Sequence, residues 1–98
     1  MSLTNRQRSY LKGLAHTLEP IVKVGRARLS DPLVAETARS LDSHELIKVR
    51  IDADESSERK ALAGELAEKT SSELVGSIGK ISILYRAREE KPRIELPQ

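Results

Sequence analysis

The chain contains no cysteine, no phenylalanine and no tryptophan, and Tyr10 and Tyr85 are its whole aromatic complement. Without cysteine, structural disulfides, iron–sulfur clusters and thiolate zinc sites are excluded, and the composition suits a reducing compartment. With so few aromatics, a stacking platform of the RNP kind or an aromatic-lined single-strand channel is excluded as well. No apolar run approaches the roughly 20 residues that a membrane-spanning helix needs, and Met1-Ser2-Leu3-Thr4-Asn5-Arg6 is not followed by a signal-peptide core. A cytoplasmic protein with no membrane partner is expected.

An excess of one charge is also lacking. Lysine and arginine total 17 against 15 acidic residues, and a net charge of +2 is too small to identify a nucleic-acid binder by itself. The placement of the charges has to decide. At 98 residues the chain suits one domain around one core, spanning residues 1–98 with a charged, proline-punctuated segment at 87–98 that reads as an extended, partly mobile tail.

The signatures of catalysis are missing too. There is no cysteine nucleophile, no G-x-S-x-G elbow, no Walker loop, no G-x-G-x-x-G fingerprint and no aspartate cluster suited to two magnesium ions. Ser71, Ser72 and Ser77 have no neighbouring base. His16 and His44 fall near helix ends, where an imidazole caps terminal carbonyls, and His44-Glu45 lacks metal-ligand spacing. The chain therefore reads as a non-enzyme with no catalytic residue, metal, cofactor or small-molecule substrate.

What is present is a clear alternation of elements. Thr4 with Gln7 forms a capping box, and Leu3, Tyr10, Leu11, Leu14 and Leu18 give an apolar stripe over a first helix that Pro20 ends. Ile21 to Val24 form a short strand. Leu33, Val34, Thr37, Ala38 and Leu41 recur at helical spacing from Asp31 to Ser43, closed by His44-Glu45. Next, Ile47, Val49 and Ile51 alternate with Lys48, Arg50 and Asp52, the pattern of a strand with one dry and one wet face. A third helix from Ser56 to Thr70 carries Ala61, Leu62, Leu66 and Ala67 inward, and strands at Leu74–Ile78 and Ile81–Arg86 are joined by a tight turn at Gly79-Lys80. The order is α-β-α-β-α-β-β. Crossover connections demand parallel strands and the final hairpin an antiparallel one, so a four-stranded mixed sheet with helices mainly on one face is expected.

One junction carries the strongest chemical signal. Val22-Lys23-Val24 runs into Gly25-Arg26-Ala27-Arg28, and Leu29-Ser30-Asp31-Pro32 then opens a helix, with Ser30 or Asp31 as cap and Pro32 in the first turn. Gly25 is suited to a positive φ and to close backbone approach. Arg26 and Arg28 would flank a helix N-terminus whose free N–H groups favour an anion, and a phosphate backbone is the natural guest. Lys48 and Arg50 align on the wet strand face, where Lys23 and Arg86 join them if the registers match. Lys12 and Lys80 are supporting candidates. The bland alternatives are a solvated basic turn for the arginines and an ordinary wet strand face for Lys48 and Arg50.

Four ordered stretches carry a family resemblance: Arg8-Ser9-Tyr10-Leu11-Lys12-Gly13-Leu14-Ala15-His16, Pro20-Ile21-Val22-Lys23-Val24-Gly25, His44-Glu45-Leu46-Ile47-Lys48-Val49, and Ile78-Gly79-Lys80 with Leu84-Tyr85-Arg86. Together they resemble a stand-alone bacterial CRM domain of the YhbY type, the chloroplast RNA splicing and ribosome maturation module. The resemblance implies a fold similar to the C-terminal domain of translation initiation factor three. It also implies an RNA-binding role on ribosomal RNA of the maturing large subunit. A monomer is expected. The family's loop after the first strand is typically G-x-x-G, similar in form to the KH backbone clamp. Gly25 matches the first glycine and Arg28 stands at the second, where its guanidinium is expected to pair a phosphate. The alternative is an assembly adaptor that binds proteins and makes no direct RNA contact.

Overall fold

The fold is assembled from strongly signalled ends. In a computed structural model, which describes residues 2–98 and leaves Met1 outside, α1 (Asn5–Ala15) starts at a reciprocal capping box. Gln7 N–H donates to Thr4 Oγ1 at 3.1 Å, and Thr4 N–H donates to Gln7 Oε1 at 3.0 Å. After β1 (Pro20–Val24), α2 (Asp31–His44) begins with Ser30 Oγ accepting from Leu33 N–H and with proline in its first turn. Then follow β2 (Leu46–Ile51), α3 (Ser56–Lys69), β3 (Glu73–Ile78) and β4 (Ile81–Tyr85). Gly79 takes φ +57° in the β3–β4 turn, a conformation that favours glycine.

The four strands form one mixed sheet in the order β1-β2-β4-β3. β1 and β2 are parallel, and β4 lies between β2 and β3, antiparallel to both. β3 therefore points the same way as β1 and β2, as the helical crossovers require.

Each face of the sheet carries its own apolar cluster. Val22, Val24, Ile47, Val49, Ile51 and Leu84 pack under Leu41 of α2 and Ala63, Leu66 and Ala67 of α3. On the other face Leu46, Val75, Ile83 and Tyr85 pack with Leu3, Leu11 and Ala15, joined by Ile94 and Leu96. Helices thus lie mainly on one face, with α1 and the C-terminal segment covering one end of the other.

Two packing expectations need correction. In α3 the buried series is Ala63, Leu66, Ala67 and the following Thr70, while Ala61 is exposed. Those four follow i, i+3, i+4, i+7 spacing, and Ala61 falls off that stripe. In α1 only Leu11 and Ala15 are buried, and Tyr10, Leu14 and Leu18 are exposed. A helix lying over the end of a sheet needs only a narrow i, i+4 contact line.

The segment read as a partly mobile tail is tied down by a buried charge. Glu45 adopts φ +63° as it leaves α2, is fully buried, and accepts from three backbone N–H groups: Arg88 and Arg93 at 2.8 Å and Ile94 at 3.1 Å. Further along, Gln7 Nε2 donates to the Pro97 carbonyl at 3.0 Å and Arg6 to that of Gln98 at 3.2 Å. Local composition could not show this, because the acceptor lies more than 40 positions away in sequence. Burial alone would raise the Glu45 pKa, but the three N–H donors and the nearby Arg88 charge outweigh it and hold the carboxyl below its ordinary value of 4.5.

Because the folded pKa is lowered, Glu45 contributes stability above pH 4.5, and that contribution is lost as pH falls through the folded value. Glu45→Gln turns one acceptor into a donor facing a backbone N–H, and is expected to cost about 1–3 kcal/mol at neutral pH. Urea unfolding of both proteins at neutral and acidic pH should show the gap shrinking on acidification. A gap that does not depend on pH would exclude a stabilising carboxylate.

Candidate nucleic-acid interface

The C-terminal ends of β1 and β2, the N-terminal ends of α2 and α3, and the β3–β4 turn converge at one edge of the molecule. Asp52 N–H donates to the Val24 carbonyl at 3.0 Å and Ile51 N–H to that of Lys80 at 2.7 Å, which locks the three junctions together. Arg59, which the sequence did not single out, reinforces them. Its guanidinium donates to the carbonyls of Ala53 and Asp54 at 2.7 Å and of Gly79 at 3.0 Å.

Gly25–Arg28 forms a tight turn closed by Arg28 N–H on the Gly25 carbonyl at 3.1 Å, with Arg26 and Ala27 exposed at its tip. The positive φ expected at Gly25 belongs instead to Arg28, at +56°. Arg28 thus takes, as a non-glycine residue, a conformation suited to the glycine of a G-x-x-G loop. Its guanidinium does not reach outward either. It donates to the carbonyls of Gly25 at 3.1 Å and Asp52 at 3.2 Å and pairs with Glu58 of α3 at 3.1 Å. Where a phosphate contact was expected of Arg28, the structure shows an internal brace, with Nη1 on two carbonyls and Nη2 on Glu58. At Gly25 a side chain would meet no atom within 4 Å, so the outer surface of the turn is open.

Beside this turn the uncovered part of the sheet continues the basic surface. Lys23 is in register with Arg50, Arg50 with Ile81, and Ile81 with Ile78, so these side chains share one cross-strand row on the face away from α2 and α3. In the next row Lys48 and Gly76 flank Ile83. The Lys12 side chain from α1 lies over Gly76, its Cε only 2.7 Å from where a β-carbon would be, so Lys12 and Lys48 bracket Ile83. Lys80 adjoins this surface through Asp52 at 3.6 Å, and Asp52 also holds Lys23 at 3.9 Å. These ion pairs are long and exposed, worth at most about 1 kcal/mol each, and a phosphate can displace them. Among the described residues, Arg26, Lys48, Arg50 and Lys12 enter no ion pair.

Arg86 does not join the others. Tyr85 faces the α1 side, so strand alternation turns Arg86 the opposite way, where it donates to the carbonyls of Thr70 at 2.7 Å and Ala38 at 2.9 Å and pairs with Asp42. It braces the C-terminal ends of α2 and α3. Ile78 was also overlooked as a surface residue, although it is 77% exposed. Its place at the hairpin end of a strand was the available signal. Among the described residues no group of three or more His, Asp or Glu side chains is placed to hold a metal ion, and no helix is long and apolar enough to cross a membrane.

A sequence profile of the CRS1 / YhbY (CRM) domain matches residues 3–86. The chain belongs to that family. A Pseudomonas aeruginosa relative named "Probable RNA-binding protein PA4753" is 40% identical over 96 residues, covering 98% of this chain and 91% of the relative. One from Haemophilus influenzae, named "RNA-binding protein", is 36% identical and covers 99% and 97% of the two chains. The solution structure of the hypothetical protein SAV1595 from Staphylococcus aureus superposes with a TM-score of 0.86 at 38% identity, covering 98% of this chain and all of that one. In this CRM domain the turn has glycine at its first position and, at its fourth, an arginine that supports it internally.

That arrangement separates backbone strain from side-chain bracing. Arg28→Ala and Arg28→Gly both remove the brace, but only alanine retains the cost of a left-handed conformation, so the alanine variant should be less stable by about 1 kcal/mol. Urea midpoints of the two variants measure the difference. Equal midpoints would show that the position does not demand positive φ.

Proposed function

We propose that this CRM domain binds RNA through the sugar–phosphate backbone, using the exposed tip of the Gly25–Arg28 turn together with the uncovered sheet face. The observation that carries this reading is the set of unpaired cations Arg26, Lys48, Arg50 and Lys12, gathered beside an open turn on the part of the sheet that no helix covers. Phosphates are the ligand such a surface fits, since cations fixed on a rigid sheet release counterions from a polyanion without prior rearrangement. The names of the two bacterial relatives are consistent with the same activity. No acid–base or nucleophilic constellation accompanies the surface, and the role is binding without chemistry.

The biological target we propose is ribosomal RNA of the maturing large subunit, with the protein acting in the cytoplasm as a monomeric assembly factor. Support for the target is the resemblance of the four sequence stretches to the stand-alone YhbY type. Crosslinking in cells followed by mapping of the bound RNA tests it. Recovery of large-subunit precursor sequences is expected, and their absence among the crosslinked RNAs would reject the ribosomal assignment.

The interface itself is tested with protein-free RNA. Each single-strand phosphate that the protein no longer neutralises flattens the dependence of log affinity on log salt by about 0.7, so Arg26→Ala, Lys48→Ala and Arg50→Ala combined should flatten it by about 2. Folding should change by less than about 0.5 kcal/mol per exposed site. Anisotropy titrations across several salt concentrations give the slope. A folded triple variant with unchanged affinity and slope would remove this face from the binding reaction.

A further inference from the structure

The Ile78 side chain lies outside both apolar clusters of the core. It is 77% exposed at the end of edge strand β3, yet it stands in register with half-buried Ile81 rather than alone. Between them, Ile83 and Lys48 close a shallow concavity of about 170 Å³ with a largely apolar floor. Single exposed aliphatic side chains are ordinary on protein surfaces, whereas an aliphatic hollow rimmed by cations is a more specific arrangement. Lys48 forms one wall, Arg50 lies in register with Ile81, and Lys12 reaches over Gly76 on the far side of Ile83.

A ligand matching both properties needs a flat, weakly hydrated face and a negative charge on the same unit. An unpaired nucleotide has both, in its base and its phosphate. Duplex RNA does not present them together, because its bases are stacked inward and its shallow groove displays hydroxyls and base edges, to which an isoleucine side chain adds little. We propose that the hollow formed by Lys48, Ile78, Ile81 and Ile83 receives one unpaired base of the bound RNA, with an adjoining phosphate held by Lys48 and Lys12. This deepens the RNA-binding reading and rests on it. Recognition is by apolar contact on the base face, so the site takes any base and selects for single-stranded character. It does the work of a stacking platform in a chain with almost no aromatics.

The test compares the intact protein with Ile78→Ser, using a short single-stranded RNA of mixed sequence and a duplex of the same length. Removing the apolar cover should weaken single-strand binding by about tenfold, within the range seen when a base is deprived of its stacking partner. Duplex binding and the salt slope should stay as they are, since no charge is removed. Ile78→Val keeps most of the apolar surface and should bind the single strand nearly as well as the intact protein, and the retained duplex binding of Ile78→Ser shows that the serine effect does not arise from misfolding. Unchanged single-strand affinity in Ile78→Ser, or an equal drop on both RNAs, would overturn the base site while leaving backbone binding in place. Failure of the intact protein to bind either RNA overturns the RNA-binding reading and the base site together, and leaves the patch to a protein partner.

Discussion

Alternation along β2 is the constraint on which the rest of the molecule depends. As a strand paired on both sides, β2 sends Ile47, Val49 and Ile51 beneath α2 and α3, and it must send Leu46, Lys48 and Arg50 to the opposite face. A one-residue slip would put two cations into the core and three large aliphatic side chains into water, so the register is strongly specified. The second face is divided by the same rule. Leu46 falls under α1 and the C-terminal segment, while Lys48 and Arg50 fall beyond their reach.

Internal braces keep that division in place. Glu45 ties the C-terminal segment across the Leu46 end, and Arg86 secures the ends of α2 and α3 behind the sheet. At the other end Arg28 and Arg59 bind the carbonyls of three loops. Each of these charged groups reaches backbone from a distant part of the sequence, so its role is to hold junctions that short loops could not hold alone. On the open sheet face Lys48 and Arg50 enter no ion pair. Arginines of identical chemistry thus stand in opposite settings, with Arg28, Arg59 and Arg86 turned onto backbone carbonyls and Arg50 exposed on the open face.

The fold was largely legible because its signals are local and repetitive. The Thr4 box, the Ser30 cap with Pro32, the Ile47-Val49-Ile51 alternation and the Gly79-Lys80 turn each depend on neighbours within a few residues. The candidate site was legible in part. Lys23, Lys48 and Arg50 share a face because strand period and parallel register bring them together, both deducible from pattern. Arg28 and Arg86 were misjudged for a common reason. A basic side chain in a turn or at a strand end carries no mark of whether a carboxylate or carbonyl waits nearby, and here Glu58, Asp42 and Thr70 do. For the same reason, the charged, proline-punctuated composition of the C-terminal segment suggested looseness where a buried carboxylate supplies its acceptors.

By itself the sequence determined the order of elements, the parallel crossovers, the two-faced second strand and the family, because periodicity, capping and ordered motifs are properties of adjacent residues. Tertiary structure alone decided which cations remain open to a ligand, where the positive φ of the basic turn falls and how far the second face is covered. Those outcomes depend on distances between residues that lie dozens of positions apart, and a linear pattern of charges does not encode the direction in which each one points.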